Sequence, residues 1–266
     1  MKQTAGAQAV HRAAGLLKAF TRERPSLGLA ELSAAVGLHR STAHRLLAAL
    51  EAEGLVDRSP DGGYRLGPEM LALGSRALGA ADLREACRAE LIELAAETHE
   101  TATVEILVGG EVLILDEVTG DHRIGSMPSI GTRWPAHATS TGKVLLAHLD
   151  PARLETLLRE PLAAPTPRTV TSSVSLRREL DASRERGWAV SDGELEAGYV
   201  AIGAPVRGAD GEVVAALSLG GPERRLAASR HPGLARRVCA AARGVSERLG
   251  FRSSSAGPGP VHGSPS

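Results

Sequence analysis

Near the N-terminus, apolar residues recur at helical spacing in three short segments separated by breakers. The first segment predicts a helix over Val10–Phe20 with one buried face. A second, LAELSAAV, predicts a helix over Leu29–Val36 that Gly37 ends, because glycine adopts a positive φ at little cost. A third helix covers residues 39–53 and stops at Gly54. Its inward positions are Ala43, Leu46, Leu47 and Leu50.

The next segment, LVDRSPDGGYRL, places turn residues between two short runs, Leu55–Arg58 and Tyr64–Leu66. This pattern predicts a β-hairpin. Three helices followed by a hairpin predict a winged helix-turn-helix over residues 9–69. Pro68 is suited to the first turn of a further helix, and helical spacing continues over Asp82–Thr98, which predicts a linking helix.

From Thr101 the apolar period changes from helical spacing to that of strands. TVEILV and EVLILDEV flank Gly109 and Gly110, and a second hairpin is predicted over Val200–Arg207 and Glu212–Leu219. Hairpins with interspersed helices predict an α+β domain over residues 70–252. The Ser-, Gly- and Pro-rich residues 253–266 predict a disordered tail. The interspersed helices are predicted over Ser140–Leu149, Pro151–Arg159, Ser175–Arg186 and Ser229–Leu249.

Composition narrows the class of protein. Among the 266 residues, 42% are hydrophobic and 23% charged, which is typical of a soluble globular chain. No run approaches the 18 apolar residues that would span a bilayer, so we expect no membrane partner. Cys87 and Cys239 are isolated in the sequence, which predicts neither a disulfide framework nor a metal site and fits a cytoplasmic location. We expect no cofactor.

The net charge is zero, but its distribution is uneven. Up to Leu66 the chain has nine basic and six acidic side chains. Once the apolar face of the third helix is buried, polar residues remain at its N-terminal end, the arrangement of a helix that enters the major groove of DNA. The alternative is an ordinary solvated helix face. The candidate DNA-binding residues are His39, Arg40, Ser41, Thr42, His44 and Arg45 on this helix and Arg58 and Arg65 on the hairpin.

Four segments in order carry a family resemblance: LAELSAAVGLHRSTAHRLLAALEAEGLV, GGYRLGPEMLALG, HATSTGKVLLAHL and ERGWAVSDGELEAGYVAIGAPVRGADGEVVAALSLGGP. They resemble the IclR (isocitrate lyase regulator) transcription factors over nearly the whole chain. The resemblance implies a winged helix-turn-helix, a linker helix and a GAF-like effector domain that binds a small molecule, often a carboxylate. It also implies a homodimer or homotetramer on double-stranded operator DNA, more often as a repressor.

The segment HATSTGK has several interpretations. It fails the phosphate-loop pattern twice, at His137 and Val144, so nucleotide binding is not predicted. Ser140 and Lys143 have the S-x-x-K spacing of a serine acyl hydrolase of the penicillin-binding type. The KTG motif that such enzymes also carry does not follow in this chain. A third interpretation makes Thr139 the cap of a helix whose N-terminus attracts an anion. An ordinary capped helix with no ligand fits the same residues.

The resemblance nominates an effector pocket. Effector-binding members that take small 2-oxo acids carry cysteine where Ala201 stands, serine where Gly220 stands and an acid where Ser191 stands. This chain therefore has fewer polar side chains to hold a ligand, which suggests a bulkier, less polar ligand such as an aromatic or branched acid. Trp134 and Trp188 could equally be core residues. The candidate effector residues are Thr139, Ser140, Thr141, Gly142, Asp192, Ala201, Ser218 and Gly220, with Met127 and Trp134 as apolar walls.

The sequence therefore predicts a DNA-binding transcriptional regulator controlled by a small-molecule effector, and no catalysis. Two alternatives stay open. One is a serine hydrolase built on Ser140 and Lys143, and the other is a metabolite-binding module whose helical head binds protein instead of DNA.

Overall fold

The computed structural model describes residues 5–21, 23–77, 80–120 and 130–252. Contacts divide the chain between Ala81 and Asp82 into two compact units. The sequence-based boundary lay earlier, between residues 69 and 70. The helix that begins at Pro68 falls in the first unit because its start is tied there: the Glu69 N–H donates to the Gly54 carbonyl, 3.1 Å away.

The first unit is a three-helix bundle with a two-stranded hairpin, as predicted. Its interior is formed by Leu16, Leu32, Leu47 and Tyr64 together with smaller apolar side chains. The strands pair antiparallel, with Asp57 opposite Arg65. The elements are α1 Ala5–Lys18, α2 Leu29–Val36, α3 Arg40–Ala52, β1 Val56–Arg58, β2 Tyr64–Leu66 and α4 Pro68–Ala77.

The turn between α2 and α3 follows the prediction. Gly37 has φ 65° and its N–H donates to the Ala34 carbonyl, so the helix ends where glycine relieves left-handed strain. The predicted limits of α1 were wrong. The helix spans Ala5–Lys18, and at its end the Ala19 N–H is shared between two carbonyls, those of Gly15 and Leu16, as is common at helix termini. Val10 is 71% exposed and is not part of the buried face.

The second unit is built on one antiparallel sheet with helices on both faces, which confirms the α+β class. The six strands lie in the order β5-β4-β3-β8-β7-β6. Helix α6 lies across one face, and α9 packs against β7 and β8 on the other. The elements are α5 Ala80–Thr98, β3 Thr101–Val108, β4 Glu111–Val118, β5 Arg133–Pro135, α6 Ser140–Ala147, α7 Pro151–Leu157, α8 Ser173–Arg186, β6 Ala189–Asp192, β7 Tyr199–Arg207, β8 Val213–Pro222 and α9 His231–Arg248.

A β-bulge in β4 decides which acidic residue faces α6. Val104 pairs with Asp116, but Glu105 pairs with Ile114, so one extra residue of β4 lies between these pairs. The bulge reverses the alternation of side chains along β4. Glu117, paired with Thr103, therefore lies on the α6 face, whereas Asp116 lies on the other face and forms ion pairs with Arg84 and Arg88 of α5.

Gly203 allows α6 to approach the sheet. A Cβ atom built on Gly203 would lie 2.9 Å from the Ser140 carbonyl carbon and 3.0 Å from the Thr141 nitrogen, which is too close for any side chain. The absence of a side chain on this strand therefore positions the start of α6 directly over β7. Thr139 caps the helix as predicted, with its Oγ1 accepting from the Gly142 N–H at 3.0 Å.

The predicted disordered tail, residues 253–266, lies outside the described residues. In the described ranges, both cysteines are free thiols, and burial raises the pKa of the Cys87 thiol to about 12. No helix in these ranges has both the length and the apolar character needed to cross a membrane.

Candidate functional site

The N-terminal end of α3 presents polar side chains to solvent. Its inward face buries Ala43, Leu47 and Leu50, with Leu46 partly buried. The helical period then turns the intervening positions outward. The exposed candidates are His39, Arg40, Ser41, His44 and Arg45, and Thr42 is partly buried.

Ion pairing separates the arginines of this unit into two groups. Arg24 pairs with Glu31 at 2.6 Å and Arg65 with Asp57 at 2.8 Å. Arg58 lies 3.4 Å from Glu51 and stacks over the Tyr64 ring. Within the described part of the chain, Arg40 and Arg45 have no ion pair and no hydrogen bond from their side chains. Arg12 of α1 also has no ion pair or side-chain hydrogen bond in this range, but it is partly buried, whereas Arg40 and Arg45 are both exposed near the start of α3 with their hydrogen-bonding capacity available to a partner.

The second unit contains a cavity of about 330 Å³ between the start of α6 and the sheet. This volume is within the range of small-molecule sites. Polar side chains cover its sheet side, and Ile114, Trp134, Leu195 and Pro222 supply apolar surface.

Most of the predicted effector residues line this cavity. Two do not: Gly142 is buried in α6, and Asp192 forms an ion pair with Arg168 at 3.2 Å instead. Met127 lies outside the described residues. The predicted residues that line the cavity are Thr139, Ser140, Thr141, Trp134, Ala201, Ser218 and Gly220.

Gly142 has a packing role. A Cβ atom there would overlap the backbone of Ala136, which lies in a 3-10 turn over Ala136–Ala138. We expect Gly142→Ala to lower the free energy of unfolding by about 1–3 kcal/mol, because neither backbone segment can move away cheaply. Urea denaturation of the full chain measures this loss.

Gly233→Ala is the matched control. Gly233 lies in α9, and the nearest atom that a new Cβ would meet is 3.8 Å away on Arg236. Alanine favours the helix more than glycine does, so this variant should be as stable as the parent or more stable. Equal urea midpoints for the two variants would contradict the role assigned to Gly142.

A buried acid, Glu105, occupies the sheet side of the cavity and was missed in the sequence. The Thr103 hydroxyl donates to its Oε1 at 2.8 Å, and the Thr141 hydroxyl donates to its Oε2 at 2.5 Å. Ser218 Oγ lies 2.8 Å from Thr103 Oγ1. The available signal was a single glutamate in the otherwise apolar strand TATVEILV.

Burial raises the pKa of Glu105 above its ordinary value, although hydrogen bonds from Thr141 and Thr103 oppose the shift. An acid with a raised folded pKa favours the fold most at low pH, and that contribution is lost as the pH rises through the interval between its unfolded and folded pKa values. Glu105→Gln cannot ionise. We therefore expect this variant to unfold at higher urea than the parent at pH 8, with a smaller difference at pH 5.

Glu185→Gln serves as the control, because Glu185 is an exposed residue of α8 and does not line the cavity. Its urea midpoint should follow the parent at both pH values. If the stability difference between Glu105→Gln and the parent does not grow from pH 5 to pH 8, ionisation of the Glu105 carboxyl does not lower the free energy of unfolding as expected.

Lys143, the second residue of the hydrolase-like spacing, is fully buried and surrounded by acids. Its Nζ lies 2.8 Å from Glu179 Oε1 and 2.5 Å from Glu194 Oε1, and also donates to the Val190 carbonyl. A lysine that activates a serine must be able to accept its proton. Lys143 instead donates to three oxygens that stabilise the charged ammonium.

Two further features contribute to the lining of the cavity. Arg225 donates to both carboxylate oxygens of Glu100, at 2.6 and 2.7 Å. A Cβ atom on Gly220 would overlap the Tyr199 hydroxyl, so the missing side chain makes room for this ring. The expectation that Gly220 leaves the pocket poorer in polar groups was incomplete, because Tyr199 brings a phenol to the same place.

The described residues contain no group of three or more histidine, cysteine, aspartate or glutamate side chains arranged to hold a metal ion. A winged helix-turn-helix and a separate domain with such a pocket together define the class of one-component transcriptional regulators, in which one chain carries both a DNA-binding and a ligand-binding part.

Comparisons with known proteins identify the family. The IclR helix-turn-helix domain matches residues 9–60, and the bacterial transcriptional regulator IclR C-terminal domain matches residues 75–247. The chain belongs to the IclR family of transcriptional regulators, which confirms the resemblance seen in its sequence.

Individual relatives match over most of their length. The chain is 36% identical to the HTH-type transcriptional regulator XynR of Escherichia coli over 80% of this chain and 85% of that protein. It is 35% identical to the glycerol operon regulatory protein of Streptomyces griseus over 91% and 96%. A crystal structure of an IclR homologue complexed with 4-hydroxybenzoate, from Microbacterium hydrocarbonoxydans, has a TM-score of 0.81 and 29% identity, covering 91% and 98%.

Proposed function

We propose that this regulator represses transcription by binding operator DNA through α3 and that a small effector in the 330 Å³ cavity changes its affinity for that DNA. The observation that carries the proposal is the contrast among the arginines of the first unit. Arg40 and Arg45 are exposed with no protein partner in the described ranges, whereas Arg24 and Arg65 are neutralised by acids.

In this proposal Arg40 and Arg45 read base edges, because a guanidinium can donate two hydrogen bonds to guanine. Polar groups at the start of α3 and the wing arginines contact phosphates, which position the protein without specifying sequence. To contact a phosphate, Arg58 and Arg65 must either keep their ion pairs with Glu51 and Asp57 at the same time or release those acids. The phosphate set is His39, Ser41, Thr42, His44, Arg58 and Arg65.

The protein acts as a homodimer or homotetramer in the cytoplasm, with residues 9–69 as the DNA-binding domain and residues 70–252 as linker helix and effector domain. Two recognition helices in a symmetric dimer would contact half-sites about 10 bp apart or a multiple of this spacing. The operator is then a near-palindrome. The effector shifts the equilibrium only if it binds one arrangement of the dimer more tightly than the other.

The proposal assigns no catalytic step to the chain. The serine hydrolase alternative needs a lysine that can take a proton from Ser140, and Lys143 is engaged by Glu179 and Glu194. The 4-hydroxybenzoate complex of a homologue supports a pocket for organic molecules rather than a reaction centre. We therefore favour regulation over hydrolysis.

DNase I footprinting on the DNA upstream of the protein's own gene tests the proposal. We expect one near-palindromic protected region, with an affinity that falls steeply as salt rises because bound phosphates release counterions. Absence of protection at low salt, together with no salt-dependent binding to any upstream fragment, would favour the protein-binding module instead.

A further inference from the structure

The polar groups around Glu105 point their protons away from the cavity. Thr103 and Thr141 donate to Glu105, and Ser218 is left to donate to Thr103 because the Thr103 proton is already used. Ser191 donates to the Ala138 carbonyl at 2.7 Å, and Thr139 donates to the Ala136 carbonyl at 3.3 Å. A hydroxyl group has one proton, so each of these five offers a ligand only its lone pairs.

The charged groups of the cavity likewise favour a ligand that donates hydrogen bonds. Among the described residues that line it, four are acidic, Glu100, Glu105, Glu117 and Glu196, and one is an arginine. That arginine, Arg225, already uses Nε and Nη2 on Glu100. A carboxylate ligand beside Glu105 would meet acceptors and a buried acid, and like charges repel more strongly there than in water because the buried site is less screened by solvent.

The geometry points to an uncharged ligand that carries hydroxyl groups, at least one of which donates to the Glu105 network, and to discrimination against the corresponding carboxylates. This inference rests on the proposed function, because it names the chemical class of that effector. It departs from the carboxylate expected from the family resemblance. The hydroxyl groups of the ligand supply protons that the side chains around Glu105 do not offer.

An uncharged donor fits the cavity better than an ammonium group. Glu105 is only 6% exposed, and Ile114, Trp134 and Leu195 add apolar surface to the same cavity. Burying a cation in such a site costs its hydration, whereas a hydroxyl loses much less. The carbon skeleton of a hydroxylated ligand can at the same time pack against the apolar side of the cavity.

Matched ligand sets test this inference on the full-length protein by isothermal titration calorimetry at pH 7.5. One set is 4-hydroxybenzyl alcohol, 4-hydroxybenzoate and 4-hydroxybenzylamine. The second is glycerol, glycerate and 3-amino-1,2-propanediol. We expect the alcohol to bind at least about tenfold more tightly than its acid or amine in at least one set, the size of one unfavourable buried polar contact.

Glu105→Gln should reduce the preference for the alcohol over the acid by about tenfold or more, because the amide removes the negative charge and brings a donor. Glu185→Gln removes the same charge outside the cavity and should leave the preference unchanged. Tighter binding of an acid or an amine than of its alcohol, no binding by either alcohol, or an unchanged preference in Glu105→Gln would overturn the inference.

These outcomes are distinct from failure of the proposed function. If the protein protects its operator and an acid binds most tightly, regulation by an effector stands and only the chemical class assigned here is wrong. If no upstream DNA is bound at low salt, the regulatory proposal fails whatever the calorimetry shows.

Discussion

Replacing Arg45 with alanine is expected to weaken operator binding by roughly tenfold to a hundredfold, the range for one bidentate contact between arginine and a base. Arg45 is exposed near the N-terminal end of α3, and no acid in the described ranges competes for its guanidinium. Arg40→Ala should give a loss of similar size. Fluorescence anisotropy with the footprinted operator, at one fixed salt concentration, measures both.

Two other arginines make this test specific. Arg65 is paired with Asp57 at 2.8 Å, so Arg65→Ala should weaken binding less and by a similar factor for operator and unrelated DNA. Arg178 is exposed on α8 in the second unit, and Arg178→Ala should leave affinity unchanged. An Arg45→Ala protein that binds the operator as well as the Arg178→Ala protein would show that α3 is not the recognition helix.

Helices and hairpins with strong local signals were predicted well from the sequence. Residues 29–36 were predicted as a helix with Gly37 at its end, and both limits agree with the structure. The short strands β5 and β6 were missed. They are the two edge strands of the sheet, and β5 has three residues including Pro135, so neither carries enough alternation to be recognised alone.

The candidate pocket was only partly predictable, because its position depends on pairing between distant strands. The motif around Thr139 indicated the start of α6, and the resemblance indicated Ser218 and Ala201. Glu105 could not be placed, since the face of β3 that lies under α6 depends on how distant strands are ordered in the sheet. Asp192 was misplaced for a related reason: its partner Arg168 lies in a loop with no periodic pattern.

Lys143 illustrates how a local motif can mislead when its environment is unknown. The spacing of Ser140 and Lys143 is that of a nucleophile and its base, yet the lysine is buried between Glu179 and Glu194. Those acids come from α8 and from the segment after β6, far along the chain. The same four-residue motif, Ser140–Lys143, is therefore compatible with a catalytic or a structural role, and the charged groups around the lysine decide between them.

Lys143→Met is expected to lower the free energy of unfolding by about 3–5 kcal/mol at pH 7, because it leaves buried acids without their cation. Glu194 is 7% exposed, and burial raises its pKa although Lys143 opposes the shift. Without Lys143 the raised pKa rises further. Since an acid with a raised folded pKa costs stability only as the pH rises above its unfolded value, the loss should shrink between pH 7 and pH 5.

The double variant Lys143→Met, Glu194→Gln is the control, since it removes the cation and one of its acids together. It should recover a large part of the lost stability at pH 7, and its urea midpoint should depend less on pH than that of Lys143→Met. If Lys143→Met alone stays within about 1 kcal/mol of the parent at pH 7, well below the cost of breaking a buried pair, then Glu179 and Glu194 do not depend on this lysine for their charge balance.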